Sequence, residues 1–149
     1  MPKVSVVVPT YREADNLATL VLRLYEALRD AELNAEIIIV DDNSPDDTPR
    51  VCAELAERFP IRLLVRTEER GLSSAVIAGM RIAQGDVVVC MDADLSHPPE
   101  SVPELVPHSK IRPSISSSAV GMCREVPRMR IGDSSANSIR RWPRYWLGR

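Results

Sequence analysis

Residues 35–45 read Ala-Glu-Ile-Ile-Ile-Val-Asp-Asp-Asn-Ser-Pro. The run Ile37-Ile38-Ile39-Val40 is apolar without alternation, as a strand covered on both faces must be. Asp41-Asp42-Asn43-Ser44-Pro45 then ends it with a cluster of turn-forming residues. The same pattern repeats on either side. Upstream, Val4 to Val8 is a second apolar run, closed by Pro9, and Asp15 or Asn16 can cap the helix that follows. Leu17, Leu20, Val21, Leu24 and Leu28 recur there at helical spacing. Downstream, Thr48 opens a helix expected to run to about Phe59, and Ile61 to Val65 is a strand. Ser73 to Ala83 reads as a helix broken by Gly85, and Val87 to Met91 is a strand that stops at Asp92. Strand and helix alternate four times. The expected fold is α/β: a Rossmann-like open, mostly parallel sheet with helices on both faces. Ligands of such sheets bind beyond the carboxyl ends of the strands. Those ends hold Pro9-Thr10-Tyr11, Asp41-Asp42, Arg66 and Asp92-Ala93-Asp94.

The chain has 149 residues, 44% of them hydrophobic, which suits one domain with a real core. Its formal net charge of -2 points to no nucleic-acid partner. The charge is unevenly spread. Residues 1–105 carry 10 Lys/Arg against 19 Asp/Glu, and residues 106–149 carry 9 against 2. Three scattered cysteines, Cys52, Cys90 and Cys123, suggest reduced thiols in the cytoplasm. Cys52 and Cys90 lie in apolar patterns and read as plain core residues. No apolar run reaches the roughly 18 residues of a membrane span, and the start has no signal-peptide layout. After Leu105 the periodicity fails. Residues 106–149 contain Ser116-Ser117-Ser118, four prolines and eight arginines, and read as an irregular basic tail beyond a domain at 1–105.

Asp92-Ala93-Asp94 puts two carboxylates, one residue apart, at a strand end. Such a pair can turn both oxygens toward one hard cation, Mg2+ or Mn2+, and leave room for phosphate oxygens. An acidic turn closing a strand is the bland alternative, equally common for a lone D-x-D. Asp41-Asp42 can accept hydrogen bonds from a base or ribose, or simply cap the next helix. Tyr11 can stack on a base and Glu13 can accept from one, although a strand-to-helix turn would look the same. No glycine-rich phosphate loop is present. Arg66 to Gly71 places a basic residue and a glycine before a helix N-terminus, where an anion would be favoured. Arg70 there can equally be solvated. His97 precedes Pro98-Pro99, which suits a turn better than a catalyst.

Four strings occur in order: V-V-V-P-T-Y-R-E-A-D-N-L from Val6, I-I-I-V-D-D-N-S-P-D-D-T from Ile37, R-G-L-S-S-A-V-I-A-G-M from Arg70, and M-D-A-D-L-S-H-P-P-E from Met91. Together they resemble glycosyltransferase family 2, with a GT-A fold, most closely the dolichol- or polyprenol-phosphate mannose synthases. The resemblance covers residues 3 to about 105. It implies that Pro9, Tyr11 and Glu13 contact the nucleotide, that Val40 and Asp42 hold base and ribose with Asp41 nearby, and that Ala93 lies against the nucleotide. Asp92 and Asp94 would hold Mg2+ or Mn2+ and the diphosphate and carry catalysis. Ser96 stands where some relatives place a metal-assisting glutamine. The implied reaction is an inverting, metal-dependent transfer of mannose from GDP-mannose to a polyprenyl or dolichyl phosphate. The setting would be cytoplasmic, peripheral to the cytoplasmic face of a membrane.

The family continues with a further strand, a G-S-R-Y-type motif and amphipathic helices, none of which is written in residues 106–149. The C-terminal half of the fold is therefore expected to be missing, which leaves open whether the chain is active as written. Shifting the reading frame from Ser116 permits codons that spell V-I-G-S-R-Y-V-P-G-G-S, and Met122-Cys123 must then encode valine. A frameshift near Val106 to Arg112 is the favoured account, a divergent tail the other. Two further classes stay open: a non-catalytic nucleotide-binding fragment, and a phosphatase of the haloacid-dehalogenase type, which also uses D-x-D after a strand.

Overall fold

A computed structural model describes residues 3–106 and the backbone of residues 122–123. The tail reading for 106–149 lies, apart from Val106 and that short backbone segment, outside the described residues. The elements alternate as the sequence requires. They are β1 (Val4–Thr10), α1 (Ala14–Asp30), β2 (Ala35–Asp41), α2 (Thr48–Ala56), β3 (Ile61–Val65), α3 (Leu72–Ile82) and β4 (Val87–Cys90). A 3-10 turn (Pro99–Ser101), α4 (Val102–Leu105) and β5 (Met122–Cys123) follow. The strand order is β3-β2-β1-β4-β5. The first four are parallel, and β5 runs antiparallel to β4.

The two faces explain the unbroken apolar runs. Val4, Val6 and Val8 pack with Ile37 and Ile39 beneath Leu17, Leu20, Val21, Leu24 and Cys52 of α1 and α2. Val7, Ile38 and Val40 point the other way, against Ala75 of α3. Most positions of β1 and β2 are thus core positions, with side chains alternating between two cores, whereas the edge strand β3 is partly exposed and ends at exposed Val65. Burial pushes the Cys52 thiol up to about 12, with the charge of Asp41 adding to it, in keeping with a plain core residue.

Helix α3 rides close over the sheet. A Cβ on Gly79 would collide with Val7 and press on Val40 at 3.0 Å. The end of the sheet away from the site is locked by a polar knot. Buried Glu36 accepts from the Ser5 hydroxyl and the Gln84 amide, each at 2.7 Å, and from Arg62 at 3.2 Å. Arg62 also donates to the Ile82 carbonyl at the end of α3 (2.8 Å).

Several boundaries differ from expectation: β1 runs on to Thr10, α3 spans Leu72–Ile82 and β4 ends at Cys90, and two helix ends differ for a visible reason. Helix α1 starts at Ala14, and its N-cap residue is Glu13 rather than Asp15 or Asn16. Asn16 instead donates to the Glu13 carboxylate at 2.8 Å, so it braces the cap from inside the first turn. Helix α2 ends at Ala56, and the amide of Phe59 still reaches the Leu55 carbonyl through a closing turn.

Candidate functional site

The strand order sets Arg66, Asp42, Tyr11 and Asp92 side by side along the carboxyl edge of the sheet. The loops bearing them are fixed by side-chain hydrogen bonds. Asp41 is fully buried. One of its oxygens accepts from the Ser44 hydroxyl at 2.5 Å and from Thr10 at 3.2 Å, and the other accepts from the Ser44 amide at 2.9 Å. The Ser44 oxygen in turn accepts from the Arg12 amide (2.9 Å), and Thr48 accepts from the Glu13 amide (3.0 Å). The loop after β1 is thereby sewn to the loop after β2. Arg12 sits at φ 61°, a left-handed conformation costly for a residue with a side chain, and the Ser44 bond holds it there. The next-door Tyr11 ring is left 44% exposed.

Val40 and Asp41 were both expected to touch a ligand. Both are completely buried, so they form the floor under the site. Pro9 is half-buried beside them. Asp42 is bound from two directions. One oxygen accepts from Arg66 Nε at 2.7 Å and the other from the Gly71 amide at 2.7 Å. Arg66 also donates to Ser74 (2.9 Å) and to the Gly71 carbonyl (3.2 Å). Gly71, at φ 129°, adopts a backbone that side-chain-bearing residues avoid. Asp42 and Arg66 thus clamp the loop between β3 and α3. Arg70, the residue before that clamp, places its guanidinium 5.5 Å from the Tyr11 ring centre.

Beyond β4, Ala93 is buried in the core while Asp92 and Asp94 on either side are exposed. The buried alanine is what turns both carboxylates outward. Asp94 accepts from the Ser96 hydroxyl (2.6 Å) and amide (2.9 Å), around Leu95 at φ 60°. The Ser96 hydroxyl, then its amide, hold the Asp94 carboxyl below its usual range. Ser96 therefore supports Asp94 directly. A bidentate pair from Arg23 to Glu100 (2.7 and 2.8 Å) ties the far end of this loop to α1. His97 is half-buried.

Among the described residues, no cluster of three or more His, Cys, Asp or Glu side chains could enclose a metal ion. Two exposed carboxylates nevertheless fit an oxygen-seeking ion that completes its shell with water and substrate phosphate, as Mg2+ commonly does. Ser44, Thr48 and Gly71 were read in the sequence only as turn and helix-start residues; their hydrogen bonds to the Arg12 amide, the Glu13 amide and Asp42 were not. The spacing Asp41-x-x-Ser44 is the one available signal, since an aspartate readily caps a turn it begins.

The sequence profile of glycosyl transferase family 2 matches residues 5–141. The chain belongs to this family. A dolichol-phosphate mannosyltransferase of Pyrococcus furiosus is 53% identical over 104 residues, 70% of this chain and 29% of the relative. Its counterpart in Mycosarcoma maydis is 53% identical over 110 residues, covering 37% of its own length. An undecaprenyl-phosphate 4-deoxy-4-formamido-L-arabinose transferase of Pseudomonas fluorescens is 33% identical over 142 residues, 94% of this chain and 39% of the relative. The chain spans about a third of the length of these curated relatives. Among solved structures, a mannosyltransferase from Pyrobaculum calidifontis in complex with GDP-Man and Mn2+ superposes with a TM-score of 0.59 at 34% identity. That match covers 67% of this chain and 30% of the other. The sheet is the Rossmann-like part of a GT-A fold, as expected, and family membership sets the phosphatase alternative aside.

Proposed function

We propose that this chain forms the donor half of an inverting glycosyltransferase that moves mannose from GDP-mannose to a polyprenyl or dolichyl phosphate. The observation that carries the reading is the pair Asp92 and Asp94, turned outward around buried Ala93 on the edge that also presents Tyr11. Support for the sugar comes from the relatives, named dolichol-phosphate mannosyltransferases, and from the fold neighbour solved with GDP-Man and Mn2+.

In this reading Tyr11 offers its exposed ring to the base and Glu13 accepts from base or ribose. Asp42 keeps the β3–α3 loop in place and lies at the ribose end of the cleft. Val40, Asp41 and Ala93 shape the floor. Asp92 and Asp94, the latter steadied by Ser96, would hold Mg2+ or Mn2+ against the diphosphate. Such an ion supplies neutralisation of the charge that develops on the leaving group. An acceptor phosphate is already anionic, so it needs no strong base. The protein's task is to orient the two reactants.

No helix among the described residues is long and apolar enough to cross a membrane, and peripheral association at the cytoplasmic face is part of the proposal. For residues 106–149 the shifted-frame account stays with the charge asymmetry and the lost period. The family match running to residue 141 weighs on the other side.

Calorimetry with GDP-mannose and Mn2+, paired with a transfer assay on a short-chain polyprenyl phosphate, tests the proposal. Metal-dependent binding that Asp92→Asn and Asp94→Asn each abolish is the expected result. Binding without transfer would leave a nucleotide-binding fragment. No nucleotide binding at all would end both readings.

A further inference from the structure

The loop between β1 and α1 carries Tyr11 and Glu13, yet its backbone is held from another loop. Two successive amides, those of Arg12 and Glu13, donate to hydroxyls that follow β2: Ser44 at 2.9 Å and Thr48 at 3.0 Å. Both hydroxyl residues are buried. Asp41 fixes which way the Ser44 hydroxyl points. The hydroxyl gives its proton to Asp41 at 2.5 Å, so only its lone pairs remain for the Arg12 amide. The Ser44 amide donates to the other Asp41 oxygen at 2.9 Å, which pins Ser44 a second time.

The residue held in this way is the strained one. Arg12 lies at φ 61°, a region that a residue with a long side chain leaves when nothing retains it. Such strain persists only where surrounding structure enforces it, and it gathers at ligand sites as preorganisation. Tyr11 is the neighbour that gains. Its ring is 44% exposed, so core packing does not fix its direction. The Arg12 guanidinium lies 5.4 Å from the ring centre, so ring and turn are in contact. On the other side Thr10 donates to Asp41 at 3.2 Å. Tyr11 therefore stands between two residues tied to the same buried carboxylate, Thr10 directly and Arg12 through Ser44.

We infer that Ser44 is a positioning residue for nucleoside binding: through the Arg12 amide it holds the strained turn that presents the Tyr11 ring to the base. The inference rests on the donor-site reading above and adds to it a residue that acts through another. Isothermal titration of the full chain with Mn2+ against GDP, guanosine and inorganic pyrophosphate tests it. Ser44→Ala should weaken GDP and guanosine alike, by ~5-fold or more, about the effect of one lost hydrogen bond. Pyrophosphate, which needs only the Asp92 and Asp94 end, should bind as before. Asparagine enters left-handed conformations more readily than arginine. The Ser44→Ala penalty on GDP should therefore shrink when both chains compared also carry Arg12→Asn, a coupling that a double-variant cycle reads directly.

Unchanged GDP affinity in Ser44→Ala overturns the inference. So does an equal loss for pyrophosphate, which would mean that Ser44 only holds the fold together. So does a penalty of the same size in the Arg12→Asn background. Should Ser44→Ala not fold, Thr48→Val, which keeps the shape and removes the hydroxyl from the next amide, is read by the same contrast between GDP and pyrophosphate. If the wild-type chain binds no GDP, the donor-site reading itself has failed.

Discussion

Replacing Arg66 with methionine removes the cation that Asp42 depends on. The Arg66 side chain is 8% exposed and that of Asp42 11%, so the pair is nearly desolvated. The substitution deletes bonds to Asp42, to Ser74 and to the Gly71 carbonyl, and leaves Asp42 with the Gly71 amide alone. Breaking one side of a buried pair costs about 3–5 kcal/mol, because the remaining charge stays buried without compensation. A domain of this size has only about 5–15 kcal/mol in total. Urea denaturation followed by far-UV circular dichroism should therefore show the midpoint falling by ~1 M or more. Adding Asp42→Leu should return most of the loss, since an apolar pair of similar volume is often as stable as the ions. The rescued protein should still fail to bind GDP, because the β3–α3 loop has lost its clamp. A single-variant cost below ~1 kcal/mol would refute the reasoning, and so would a double variant no more stable than Arg66→Met alone.

Gly79→Ala forces a methyl into Val7 and Val40 and should cost ~1–3 kcal/mol by overpacking, read as a lower midpoint in the same denaturation. Burial pushes the Glu36 carboxyl up, but the Ser5 hydroxyl, the Gln84 amide and Arg62 outweigh it and leave it below its usual value. Its stabilising effect is then present above the ordinary carboxylate range and is lost as pH falls through it. Glu36→Gln should be less stable at pH 7, and the gap should narrow on acidification toward pH 3 in thermal melts. Sequencing the gene around codon 106 checks the tail: a shifted frame that does not encode G-S-R-Y ends the frameshift account.

Much of this molecule could be read from the chain. The apolar runs gave the parallel sheet, since β1 and β2 are covered on both faces, although the edge strand β3 is half-exposed. The strand ends gave the edge where the donor cleft is proposed, and buried Ala93 between two exposed aspartates shows why both carboxylates face outward. The roles within Asp41-Asp42 could not be read. Both residues are acidic and adjacent, but opposite side-chain directions along the chain send Asp41 to Thr10 and Ser44 and Asp42 to Arg66. Apart from Ser44, three residues on, their partners lie 24 to 31 residues away, where no local pattern encodes them. The chain already set Arg70 before the α3 N-terminus, but only the folded chain shows that its guanidinium and that of Arg12, from another loop, lie over the same Tyr11 ring.

The strand order also carries a schedule. β1 meets β2 across 31 residues, as Val4 pairs with Ala35, and β2 meets β3 across 24, as Ile37 pairs with Ile61. β1 meets β4 across 83, as Val4 pairs with Val87. Closing the longest loop costs the most entropy, so β4 is expected to dock last. The base-facing wall of the cleft would then exist before the carboxylates of Asp92 and Asp94 arrive. In pulsed hydrogen exchange, the amides of β1 and β2 should gain protection ahead of those of Val88 and Val89. A chain caught between those events would hold a place for the base with no grip yet on the diphosphate.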